Sequence, residues 1–173
     1  MEYWTSLIST FIGALLGFIF SLCLFYLVNK WNRNLQRKSL QKNLIKEFEF
    51  NGHYLQSLLG NLNKAIEKIN ADDKKLYYYC YYKDFQRLFI HLYFQQGIHY
   101  EKLNPDDINL LITILNHMTQ DVQYFVNSSI QSWKDTKISQ QEILDILRFQ
   151  RDTIEKFIKD IGQIKKKIST NKL

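Results

Sequence analysis

Apolar and polar positions divide the chain into two regimes. From Leu7 to Val28 there are 22 residues without a charge, LISTFIGALLGFIFSLCLFYLV. As a helix they extend about 33 Å, enough for a hydrocarbon core of about 30 Å. The run is too long for a secretory leader, its only preceding charge is Glu2, and no small-x-small site closes it. The pattern predicts a membrane-spanning helix within residues 1–29. Tyr3 and Trp4 flank one end and Tyr26 and Trp31 the other, as expected of rings that favour the headgroup region.

Beyond the span the periodicity is helical. Leu40, Leu44, Phe48, Leu55, Leu58, Leu59, Leu62, Ile66 and Ile69 keep three- and four-residue spacing, so the first helix should run to Asn70, with Asn51-Gly52 as a point of kinking or interruption. Residues 70–75, NADDKK, should turn the chain. A second helix is expected from Asp72 and Asp73 to Gln96, stopped by Gly97. Tyrosine favours strands, but Tyr78, Phe85 and Leu92, like Tyr81 and Leu88, fall seven apart and read as a helical stripe. A third helix should start at Asn104-Pro105 with Asp106 and Asp107 in its first turn, Leu103 and Ile108 as its staple, and reach Ser132. Ser139 and Glu142 form a capping box for a fourth, flanked by Ile138 and Ile143. There Leu147, Ile154, Ile161 and Ile168 recur every seven residues, as do Ile143, Gln150, Phe157 and Ile164, with the tail from Ile164 to Leu173 expected to fray. The expected fold is all-α: a transmembrane helix, a basic juxtamembrane helix over residues 30–46, and a cytosolic four-helix bundle over residues 47–173.

Charge sharpens the topology. Lys30, Arg33, Arg37, Lys38, Lys42 and Lys46 follow the span before any acid appears, and they equal the net charge of +6 for the whole chain. By the positive-inside rule the C-terminal part is cytoplasmic and the N-tail outside. Lys30, Arg33, Arg37 and Lys38 should meet anionic lipid, and no DNA or RNA duplex is needed to explain them. Thr5, Ser9, Gly13, Gly17 and Ser21 recur every four residues, a ridge that lets helix backbones approach in lipid and points to a homo-oligomer.

Chemistry is sparse. No P-loop, GxGxxG, GxSxG or HExxH is present, and two cysteines, Cys23 and Cys80, make neither a disulfide framework nor a zinc module. His53, His91, His99 and His117 lack metal-ligand spacing, so no metal, no cofactor, no catalytic residue and no enzymatic activity are expected. Tyr79, Lys83, Arg87 and His91 are four apart and would share a face of the expected second helix. Basic groups with an aromatic ring could hold a phosphate and stack a base, and Arg148 and Arg151 could join them. The alternative is an ordinary solvated face.

The span Leu7–Val28, the ridge Ser9/Gly13/Gly17/Ser21 and the basic run Lys30–Lys46 together make a plan that resembles the small CRISPR-associated membrane effectors gated by cyclic oligoadenylate. The resemblance covers the whole chain as a plan and carries over no binding residue. It implies a single-pass protein of the bacterial inner membrane, a cytosolic domain that binds a cyclic oligonucleotide as activating ligand, and oligomerised membrane helices that disrupt the membrane. The competing expectation is a single-pass scaffold whose bundle docks a partner protein without a small ligand, motivated by the heptad stripe Leu147–Ile168.

Overall fold

The computed structural model describes residues 2–82, 84–98 and 102–170. Lys83 and His99 lie outside the described residues, as does the side chain of Thr5. Among the described residues there are five helices and no strand: α1 Glu2–Asn70, α2 Leu88–Gln95, α3 Pro105–His117, α4 Gln120–Lys134 and α5 Gln140–Thr170. The chain forms two compact units, residues 1–40 and 41–173.

In the first unit, α1 is apolar and bare. Its most apolar stretch has a mean hydropathy of 2.5 and none of it is buried. Phe11, Phe18 and Phe25 stand exposed on it. This is the one helix, among the described residues, long and apolar enough to cross a membrane. Such exposure is costly in water and ordinary in lipid.

In the second unit, residues 41–70 of α1 run antiparallel to α5. The Gln41 amide donates to the Ile168 carbonyl near one end, and the Gln140 amide donates to the Ile69 carbonyl (2.6 Å) near the other. The expected apolar stripes meet here: Leu44, Phe48, Leu55, Leu62 and Ile69 of α1 are buried, and so are Leu147, Ile154, Phe157, Ile161, Ile164 and Ile168 of α5. Ile164 and Ile168 hold the last turns, so the expected fraying from Ile164 gives way to a helix that persists to Thr170. Helices α3 and α4 both pack on α5, adding Leu111, Ile114, Val126, Ile130 and Trp133. Asn51-Gly52 does not interrupt α1, which is helical through both residues.

The helix starts read from sequence form as expected. The Asn104 side chain accepts from the Asp107 N–H (2.8 Å). The Ser139 N–H donates to Glu142 Oε2 (2.7 Å), and the Glu142 N–H returns to Ser139 Oγ (3.2 Å). These bonds hold the exposed Glu142 carboxyl below the ordinary carboxylate range. Asp107 does more than favour a dipole: both its oxygens accept from Lys167 (2.6 and 2.8 Å), tying the start of α3 to the end of α5.

Two expectations are overturned. The expected third helix is two, because the chain turns at Met118 and Thr119, where the Thr119 hydroxyl caps α4 by accepting from the Val122 N–H. The expected second helix is confined to Leu88–Gln95, although Gly97 does follow its end with φ 69°. Residues 76–82 are extended instead. Leu76, Cys80 and Tyr82 are buried while Tyr77, Tyr79 and Tyr81 are exposed, the period-two alternation of a strand. Tyr81 and Leu88, expected on a buried helical stripe, both face outward.

An extended segment without a sheet must still pair its backbone. Here side-chain amides do it. Asn127 Oδ1 accepts from the Cys80 N–H (2.8 Å), and its Nδ2 donates to the Cys80 carbonyl (3.0 Å). Gln123, one turn earlier, accepts from the Tyr82 N–H (2.7 Å). Asn51 of α1 treats Gln86 the same way, at 2.8 Å in both directions. The buried Glu47 carboxylate, one turn before Asn51, accepts from the Phe89 and Ile90 N–H groups (2.8 and 3.0 Å), so it caps α2 from outside.

Replacing Glu47 with Ala should orphan two buried donors and destabilise the domain by about 2–4 kcal/mol. Urea unfolding of the full chain in detergent, followed by Trp fluorescence, checks this. A change under about 0.5 kcal/mol, the usual range for a surface site, would show that the clamp carries no load.

Candidate ligand groove and buried polar centre

The clamp from Glu47 and Asn51 fixes where α2 begins, and with it Arg87 and His91. Arg87 is the N-cap residue of α2 and His91 lies one turn on. Both line a groove of about 570 Å³ whose other walls are Phe94 of α2, Ile108, Ile112, Leu115 and Asn116 of α3, and Thr119. The volume suits a small ligand. The floor is apolar, and the rim supplies one permanent cation, one imidazole, an amide and a hydroxyl. Among the described residues the Arg87 guanidinium has no ion-pair partner. A half-buried, unpaired guanidinium beside an apolar floor is suited to an anion attached to a flat or apolar body.

The six expected ligand residues are thus separated by the structure. Arg87 and His91 stay together on one groove. Tyr79 sits in the extended segment, its ring 4.5 Å from that of Tyr81, and does not share a helix face with them. Lys83 lies outside the described residues. Arg148 pairs with Asp145 (3.7 Å) and Arg151 with Asp152 (2.7 Å), both along α5, and neither lines the groove. The apolar floor was missed in sequence. Its signal was a second α3 stripe, Ile108, Ile112 and Leu115, beside the buried stripe of Leu111 and Ile114.

On the first unit, Lys30, Arg33 and Arg37 line one shallow groove along α1 with Phe25, Tyr26, Asn29 and Asn34. Lys38 is exposed but outside it. Two rings are therefore followed by three cations along the helix where the apolar stretch ends. On the ridge, a Cβ added at Gly13 or Gly17 would meet nothing within 4 Å, and Ser21 Oγ turns back onto the Gly17 carbonyl (2.8 Å).

Beneath the extended segment is a polar centre that sequence reading did not foresee. Gln150, a polar residue in the apolar heptad of α5, accepts at Oε1 from Tyr82 Oη and from His117 Nε2, both at 2.9 Å. Because the oxygen only accepts, His117 carries its proton on Nε2 in this arrangement. The His117 ring meets Phe157 edge-on at 5.3 Å. Around Cys80 gather Tyr54, Tyr78 and Tyr82, and burial pushes all three phenols above their ordinary range. Burial likewise pushes the Cys80 thiol up to about 11, against weaker help to the thiolate from Tyr82 and Tyr78. A thiol held neutral in this way is a poor nucleophile, which makes Cys80 a core residue. Among the described residues no group of three His, Cys, Asp or Glu side chains is arranged to hold a metal ion.

No protein-family model, curated protein or solved structure matches this chain.

The neutral thiol sets a pH dependence. Unfolded, Cys80 ionises near 8.5; folded, it holds its proton to about 11. Its contribution to stability is therefore complete below the unfolded value and is lost as pH rises through the folded one. In a Cys23→Ser background, Cys80 should resist a thiol reagent at pH 8 until the domain unfolds. Labelling of the folded protein at the rate of a free thiol would contradict the burial.

Proposed function

We propose that this chain is a membrane-anchored effector whose helical domain binds an anionic ligand in the α2–α3 groove and whose apolar helices work as a homo-oligomer in the membrane. The observation that supports it most is the Arg87 guanidinium, without an ion-pair partner among the described residues, beside His91 over an apolar floor. The ligand class that fits both this groove and the plan of the chain is a cyclic oligonucleotide, whose phosphate would meet Arg87 and whose base would lie on Phe94, Ile108 and Ile112. In this reading the groove lies on the cytoplasmic side of a bacterial inner membrane, with the N-terminus outside, as the basic run Lys30–Lys46 favours. Lys30, Arg33, Arg37 and Lys38 hold the boundary at anionic headgroups. The ridge Ser9, Gly13, Gly17 and Ser21 gives the copies a close contact.

A route from ligand to membrane is built into α1. The start of α2, which carries Arg87, is held by Glu47 and Asn51 of α1, and α1 is also the helix with the apolar stretch. A ligand that prefers one of two settings of α2 would act on α1 through these bonds, and it can shift the equilibrium only by its difference in affinity for the two. Membrane disruption is the outcome proposed for that shift. In this reading His91 and Thr119 contact the ligand, and the protein binds without enzymatic turnover.

Calorimetry on the full-length protein in detergent with cyclic oligoadenylates of several ring sizes tests this reading. The expected result is binding at micromolar Kd or tighter that weakens with salt, and a loss of about tenfold or more on Arg87→Ala. Arg148→Ala and Arg151→Ala should leave affinity within about twofold, a difference of about 0.4 kcal/mol. No binding at any ring size removes this ligand class. It leaves in front the single-pass scaffold, whose helical domain docks a protein, a reading that the exposed tyrosines of residues 76–82 favour.

A further inference from the structure

The extended segment has two edges, one bonded to α4 and the other carrying the main-chain groups of Tyr77 and Tyr79. The main-chain groups of Cys80 and Tyr82 face α4, where Asn127 and Gln123 receive them. In an extended chain, alternate residues present their N–H and C=O to opposite sides. The main-chain groups of Tyr77 and Tyr79 therefore point away from α4, and among the described residues neither is hydrogen-bonded. Their side chains are open as well, Tyr77 being 94% exposed and Tyr79 47%. Natural sheet edges are blunted by charge, proline or bulges, yet residues 76–82, LYYYCYY, carry no charge, no proline and no glycine.

We infer that this open edge is a contact between two copies of the chain, paired antiparallel about Tyr78 so that Tyr77 of each copy lies opposite Tyr79 of the other. The segment complements itself in that register. Tyr77 and Tyr79 become hydrogen-bonded pairs, exchanging both main-chain bonds across the two-fold axis. Their rings meet as cross-strand aromatic pairs on the outer face. Lys75, which is exposed, falls opposite Tyr81 of the second copy, a cation over a ring, with no like charges directly opposed. A charged peptide would find no countercharge along residues 76–82, whereas a second uncharged copy needs none. The inference deepens the homo-oligomer part of the proposed function by naming a contact outside the membrane. It does not depend on a ligand in the groove.

The test uses two differently tagged full-length chains, both Cys23→Ser, one with Tyr77→Cys and one with Tyr79→Cys, co-produced in membranes and oxidised. The expected result is a disulfide-linked mixed dimer, with several-fold less dimer when Tyr77→Cys is produced alone. The mixed dimer should persist when Gly13 and Gly17 are replaced by Leu, which separates this edge from the span. Equal crosslinking in every combination would indicate random collision and overturn the proposal. So would no mixed dimer from chains whose thermal melting matches the parent. Recovery of Tyr77→Cys disulfide-linked to another protein, in place of its own copy, would also overturn it and assign the edge to a foreign strand. Where a cysteine variant melts early, Tyr77→Pro provides the second measurement, since it removes only an outward N–H. It should abolish chemical crosslinking between copies of the Gly13→Leu/Gly17→Leu chain, and retention of that crosslinking would contradict the inference.

Discussion

A polypeptide backbone buried without a partner strand would be ruinous, and this domain is organised around preventing it. Four side chains act as surrogate peptide groups. Asn51 and Asn127 each give and take a hydrogen bond with one residue's backbone, as a neighbouring strand would. Gln123 and Glu47 accept from three further N–H groups. They come as two pairs spaced by one helical turn, Glu47/Asn51 on α1 and Gln123/Asn127 on α4, so each pair reaches one line of backbone. Each unpaired buried group would cost about 1–3 kcal/mol, which over this set rivals the whole stability of a small domain. The start of α2, the groove and the tyrosine edge all inherit their positions from these bonds.

The same logic extends to the core. The antiparallel contact between α1 and α5 is apolar along its length, but Gln150 interrupts the α5 heptad at 3% exposure. Its oxygen joins Tyr82 to His117, so the extended segment, α3 and α5 share one polar point. A buried polar group of this kind specifies register more than it adds stability, because a slipped α5 would leave three polar groups unpaired. Lys167 on Asp107 fixes the far end of α5, and Lys74 over the Trp133 ring at 3.9 Å closes the near end of the segment. Among the described residues, the Arg87 guanidinium has no ion-pair partner and the main-chain groups of Tyr77 and Tyr79 are not hydrogen-bonded, so both are open to an outside partner.

Much of the fold was legible because it follows single-period rules. The span declares itself by length and lack of charge, the capping box at Ser139 by its spacing, and the heptads of α5 by their branched residues. The turn at residues 70–75 forms as expected, and what failed was the helix expected over residues 76–82 and 84–87. In LYYYCYY every position is apolar or aromatic, so period two and period seven are equally present, and Tyr78, Phe85 and Leu92 favoured the wrong one. Tertiary context decided it: Gln123 and Asn127 could serve only an extended chain. The break at Met118-Thr119 was hidden inside a continuous apolar pattern, although Thr119 followed by Asp121 is a helix start. Of the expected ligand residues, Arg87 and His91 remained together because Arg87 caps, and His91 belongs to, Leu88–Gln95, the part of that stretch that is helical. Tyr79 parted from them because the stripe was drawn on a helix that is not there.

Amide hydrogen exchange on the full-length protein tests the central claim most directly, namely that side-chain amides and one carboxylate hold the backbone on which the groove stands. The account predicts that the N–H groups of Cys80, Tyr82, Gln86, Phe89 and Ile90 exchange only with global unfolding, like the core amides of α5. It also predicts that Asn127→Ala releases Cys80 first. Exchange of these five amides at the rate of an open loop, while α5 stays protected, would contradict it.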